Sequence, residues 1–300
     1  MGNKLRAATA MLSLAASILT FTAGARADDV APGLLDDAIL ADATTELAEL
    51  VSTLPHSERA KITGIYIALA PTREDLVGLP ACDDDGDYVV VLSRGFLDLL
   101  EDVAFADASD RVRGTELLSS YGPTFARAHL PGARPLPVPP ALATSTDALG
   151  GAVAEVAHAF VLDALAWVVA DEVAPALAGD VVCPAPTVTH EAGDDEWTPS
   201  EHQEALAFAP LRMTHQPASD EWATRSVLSR TSPRSIVPAR ELLRVLAPLE
   251  EAHVASTYFA LHPGTEARAQ ALEDIESRVR PRAQLSPPPA ISPHARPGMR

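Results

Sequence analysis

Residues 160–183 read FVLDALAWVVADEVAPALAGDVVC. Apolar residues surround the helical axis over 159–170, so this stretch belongs at the centre of a core rather than on a surface. The periodicity extends it into one long helix from about Thr146 to about Gly179. Two acids, Asp171 and Glu172, interrupt the apolar run near its end. Pro175 follows within one turn; lacking an N–H, it is expected to kink or end the helix.

Working outward, 33–54 carries apolar positions at helical spacing and stops near Pro55. Residues 62–69 (ITGIYIAL) and 87–92 are β-branched and read as strands, with a turn at 80–86. The acids Asp83, Asp84, Asp85 and Asp87 lack the spacing of an EF-hand and read as a solvated turn. Ser93 is placed to cap a helix over RGFLDLLEDVAFA. Helices are further expected at 109–121, from about Thr198, and at 219–230, 236–261 and 264–279, with Pro238 near a start and Pro248 as a kink. Residues 131–140 form an extended linker, 180–198 an acidic loop, and 281–300 a basic, proline-rich disordered tail. The fold class expected is α+β, mostly helical, with a small sheet on the long central helix. One domain spans 28–280.

The first 27 residues read as a secretory signal, with an uncleaved membrane anchor as the alternative. Lys4 and Arg6 precede an apolar run, and Ala25-Arg26-Ala27 offers a cleavage site. The product is periplasmic or secreted, and no membrane span is expected after cleavage, because Glu155, His158 and Asp163 interrupt 152–170. Export favours an oxidising compartment, which makes Cys82 and Cys183 a candidate disulfide, with two buried free thiols as the alternative. The mature chain keeps 20 basic and all 41 acidic residues, a net charge of −21. That charge opposes binding to nucleic acid or anionic lipid. Neither a G-x-S-x-G elbow nor a phosphate-binding glycine loop occurs, so serine-hydrolase and nucleotide chemistry are unsupported.

Four elements in order resemble the gluzincin metallopeptidases of the HtpX and BepA kind (peptidase family M forty-eight). VVVLSRGFLDLLEDV at 89–103 is similar to the family's strand and GLLD-like helix. The position of its His-Glu-x-x-His motif is taken by Asp171-Glu172-Val173-Ala174-Pro175, and Ala178-Gly179-Asp180 follows where many members have A-G-H. QEALAFA at 203–209 looks like the third-ligand helix, with Glu204 at the ligand position and Leu206 at its supporting aspartate. His262, Pro263 and Arg268 match an H-P-x-x-x-x-R element. The resemblance implies a zincin-like fold with Glu172 as a relic general base, degenerate ligand positions at Asp171, Pro175 and Glu204, and supporting residues at Leu206, His262 and Arg268. Both imidazoles that zinc would need are gone, so neither catalysis nor a bound cofactor is expected, and zinc enters only if the site is rebuilt. A rival frame, Ala154-Glu155-Val156-Ala157-His158, matches less well and leaves His158 as a polar residue on the helix flank. The function implied is an exported pseudo-metallopeptidase that binds other exported or envelope proteins. The alternatives are an active zinc endopeptidase with an atypical site rebuilt from Asp171, Glu204 and a distant histidine, and an unrelated acidic helical protein.

Overall fold

The computed structural model describes residues 34–73, 75–83, 85–128, 150–183, 209–230, 234–254 and 256–279. The signal expected at 1–27, the linker expected at 131–140, the start of the helix expected from about Thr198, with Glu204 and Leu206, and the tail expected at 281–300 lie outside them. In chain order the elements are α1 (Leu34–Thr53), α2 (His56–Arg59), β1 (Tyr66–Ala70), β2 (Gly78–Cys82), β3 (Tyr88–Ser93), α3 (Arg94–Arg113), α4 (Leu117–Ala128), α5 (Gly150–Ala178), α6 (Ala209–Leu228), α7 (Val237–Glu251), α8 (Thr257–Leu261) and α9 (Thr265–Val279). The protein is α+β and mostly helical, with one small mixed sheet, in agreement with the class expected.

The sheet has the order β1–β3–β2. β3 runs parallel to β1, with Ile67 opposite Val90, and antiparallel to β2, with Pro80 opposite Val90. β2 corrects the sequence reading, which placed a turn from residue 80. Its five residues, GLPAC, carry a glycine and a proline, and Pro80 is tolerated because β2 is an edge strand. The turn itself is real but shorter: the Asp83 side chain accepts the Asp87 N–H at 2.8 Å.

α5 packs against α1, α3, α6 and α7 and touches β2 and β3. From Phe160 to Leu177 all its residues except Leu162 and Asp163 are buried, with Trp167 and Leu165 among the largest sealed side chains. The helix has the length and hydropathy to cross a membrane, but half of its most apolar window is covered by its neighbours in the fold. The Trp167 indole N–H donates to Thr224 Oγ1 at 3.2 Å, so even its polar edge is satisfied.

Pro175 neither ends nor visibly breaks α5, contrary to expectation; the helix continues to Ala178. The proline sits in the last turn, so its missing N–H costs a single bond. Its carbonyl then accepts the N–H of Asp180 at 2.9 Å, and Gly179 leaves the helix at φ +83°. The stretch 236–261 also divides into α7 and α8, separated by His253 at φ 54°. Ser93 caps α3 as read, accepting the Phe96 N–H at 3.1 Å. That helix runs on to Arg113, where Gly114 ends it, and the short helix expected at 109–121 starts only at Leu117.

A disulfide joins Cys82, at the end of β2, to Cys183, beyond α5. Tyr88 Oη donates to the Val181 carbonyl at 3.2 Å and Lys61 Nζ to the Leu177 carbonyl at 3.0 Å. The end of α5 is thereby tied to the sheet at several points.

Candidate functional site

Asp171 and Glu172 are the only acids in the buried half of α5 apart from Asp163, and each is about 1% exposed. Ionised carboxylates at such depth need cations and donors. α6 supplies them along one stripe. Arg212, Gln216 and Asp220 are spaced four residues apart, so they share a face, and all three are buried against α5. The segment from α8 into α9 adds Tyr258, His262 and Arg268, also buried.

Arg268 is the clamp between the helices. Its Nη2 donates to Asp171 Oδ2 at 3.0 Å and to Asp220 Oδ1 at 2.7 Å, its Nε donates to Asp220 at 3.1 Å, and its Nη1 donates to Tyr258 Oη at 3.3 Å. The guanidinium also lies 5.4 Å from the Trp167 ring centroid. Gln216 Nε2 bridges Asp171 Oδ1 at 3.0 Å and Asp220 Oδ1 at 3.1 Å, which fixes the orientation of its amide.

Arg212 lies at the centre of the other half. One nitrogen, Nη2, is 2.7 Å from Glu172 Oε2 and 3.4 Å from Asp171 Oδ2, and it also contacts His262 Nε2. Nε donates to the same imidazole nitrogen at 2.9 Å. His262 Nδ1 lies 3.1 Å from the Tyr258 carbonyl, so the proton belongs on Nδ1 and the Nε2 lone pair faces Arg212. Glu172 Oε1 is 3.0 Å from that same Nε2. The Glu172–Arg212 contact is an ion pair rather than an aligned hydrogen bond, since Oε2 finds no donor in line with it.

Burial pushes the Asp171 carboxyl above its ordinary range, against the pull of Arg268 and Arg212. It does the same to Glu172, against Arg212 and Arg268. Burial, with Arg212 and Arg268 nearby, drives His262 well below the usual imidazole value, so the ring is neutral. Burial also opposes the charge of Arg268, but Asp220, Tyr258 and Asp171 hold its proton more firmly than water would. Three carboxyls thus face two guanidiniums and a neutral imidazole. An unbalanced buried charge is costly, and both carboxyls of α5 are raised accordingly.

Of the residues singled out in the sequence, Asp171, Glu172, His262 and Arg268 converge here. Pro175 lies near Arg212: both line a small pocket with Leu79, Pro80, Asp180, Val181 and Leu261, with room for about one water. His158 is remote from the cluster, exposed, and paired with Asp42 at 3.1 Å. Sequence reasoning missed Arg212, Gln216, Asp220 and Tyr258. The four-residue spacing of the α6 stripe was a usable signal, but that reading began this helix at 219.

Asp171, Glu172 and His262 bring their ligand atoms within 4.8 Å of one another, the one group among the described residues arranged to hold a metal ion. The zinc that the resemblance implies does not fit this arrangement. The atoms that would face it already surround Arg212 Nη2, a fixed positive charge. Comparison of the chain with protein-family models, with curated proteins and with solved structures gives no match.

Proposed function

We propose that the protein is an exported, non-catalytic relative of the gluzincin metallopeptidases, with a zincin-like scaffold whose former centre has become an internal salt-bridge core. The observation that carries this reading is the state of Glu172. At the position of a general base it is about 1% exposed, ion-paired to Arg212 and in contact with His262. A general base must reach the water it activates, and this carboxyl is sealed from bulk water. Support for the scaffold comes from the meeting of Asp171 and Glu172 with His262 and Arg268 beside an edge strand, the grouping implied by the resemblance. Support for export comes from the Cys82–Cys183 disulfide, a bond that persists in oxidising compartments. The role assigned is binding to other exported or envelope proteins, without nucleic acid or a resident cofactor.

The test is metal content and peptide cleavage measured on the chain purified from an exporting host. The reading expects substoichiometric zinc and no chelator-sensitive cleavage; zinc at one per chain together with such cleavage sinks it. The second reading, an active peptidase with an atypical site, draws on the proximity of Asp171, Glu172 and His262. It requires that Glu172→Gln abolish a measurable activity.

A further inference from the structure

We infer that Arg212 is the resident cation of this cluster, and that its side chain excludes a divalent metal ion from a ligand set otherwise organised to hold one. This deepens the reading above and rests on it only for the view of the cluster as a former metal centre; the geometry stands by itself.

Three observations carry the inference. First, Asp171, Glu172 and His262 gather around a single point, and a nitrogen of Arg212 contacts all three. Second, His262 is held as a ligating imidazole would be. Its Nδ1–H is directed to the Tyr258 carbonyl, and the Nε2 lone pair is left facing the centre. Third, the charges do not balance with Arg212 in place. Three carboxyls meet two guanidiniums, whereas Arg268 together with a doubly charged ion would neutralise all three. Two carboxylates and one imidazole suit zinc or cobalt(II) better than calcium, which prefers oxygen ligands throughout.

Arg212 also lines the small pocket beside Leu79, Pro80 and Asp180, and its Nη1 is buried without a hydrogen-bond partner. Shortening the side chain would leave the cluster in place with its cation missing.

The experiment titrates cobalt(II) and zinc into the full mature chain and its variants. Cobalt is read by its visible absorption and zinc by competition, with circular dichroism to establish folding. The wild type is expected to show no saturable cobalt spectrum. Arg212→Ala and Arg212→Met are expected to bind one cobalt per chain on the order of 100-fold or more tighter than the wild type, because the metal relieves carboxylates that have lost a buried partner. Arg212→Lys keeps the positive charge and should remain metal-free. Adding His262→Ala to Arg212→Ala should weaken binding by at least about 10-fold.

Binding by the wild type as tight as by Arg212→Ala overturns the inference, as does a folded Arg212→Ala that binds no metal or binds equally well without His262. Should Arg212→Ala and Arg212→Met be unfolded alone, cobalt or zinc is expected to restore their circular dichroism, and failure of both metals to do so counts against it. Peptide cleavage by the wild type would overturn the functional reading. A wild type that binds metal without cleaving overturns only the exclusion by Arg212.

Discussion

Arg268→Met keeps much of the volume of the side chain and removes the guanidinium that joins α5, α6 and α8. Asp171 loses its 3.0 Å donor and Asp220 loses contacts at 2.7 and 3.1 Å. Breaking a buried ion pair from one side costs about 3–5 kcal/mol, and loss of the stack over Trp167 adds about 1 kcal/mol. The variant can limit this loss by protonating a stranded carboxyl. With an unfolded-state pKa of about 3.9, that protonation costs about 5.6 kcal/mol at pH 8 and about 1.5 kcal/mol at pH 5. The pair penalty is therefore borne in full at pH 8, and protonation undercuts it at pH 5. The expected destabilisation is about 4 kcal/mol at pH 8 and about 2 kcal/mol at pH 5. The sign follows from proton binding. A carboxyl raised in the folded state binds more protons there than in the unfolded chain, so stability falls as pH rises from about 4 toward the folded-state value. The assay is urea unfolding followed by far-ultraviolet circular dichroism at both pH values. A loss below about 1 kcal/mol at pH 8, or equal losses at both, refutes the assignment of Arg268 as the charge clamp.

Glu250 receives the N–H groups of Gly264 at 2.6 Å and Thr265 at 2.8 Å, capping α9 from a distance. Burial opposes its charge, but these bonds prevail and lower its carboxyl below the ordinary value. Glu250→Gln should cost about 1 kcal/mol at pH 7, and the difference should vanish as pH falls through the lowered folded-state value of the wild-type carboxyl; a constant difference across pH unfolding curves would contradict this. The Cys82–Cys183 bridge closes a separation of 101 residues. Its removal by Cys82→Ala with Cys183→Ala should cost about 2–5 kcal/mol, with loss under about 1 kcal/mol in urea unfolding as the contrary result. A Cβ on Gly95 would stand 2.8 Å from the carbonyl oxygens of Arg73 and Asp75. Gly95→Ala should therefore force Arg73 and Asp75 away from α3 and lower stability by about 1–3 kcal/mol, measurable as a drop in thermal midpoint; an unchanged midpoint would show that the contact relaxes freely.

Long helical stretches were legible from residues alone. α1, α5 and α9 lie within a few residues of where they were expected, α5 because an apolar run too long for a strand reads as a buried helix. β2 was not legible, since a five-residue edge strand containing Gly78 and Pro80 has the composition of a turn. α6 was half hidden for a related reason. Pro217 stands inside it and weakens its helical signal, while packing on α5 holds it helical regardless. At the site, Asp171, Glu172, His262 and Arg268 came from the resemblance. The pairing of Asp171 with Arg212 and Arg268 was not readable, because they lie 41 and 97 residues from it and only the fold brings them together.

The polar cluster draws on α5, α6, α8 and α9, so no one of these can leave without stranding charge in the others. A helix with one exposed face, such as α9, would otherwise be a natural place for local opening. With Arg268 held by Asp171 and Asp220, peeling α9 away uncovers carboxylates in the centre of the molecule. Amides of α9 and of the buried half of α5 are therefore expected to exchange with solvent at a common rate set by global unfolding. The cluster acts as a cooperativity device that turns a set of stacked helices into a single unfolding unit.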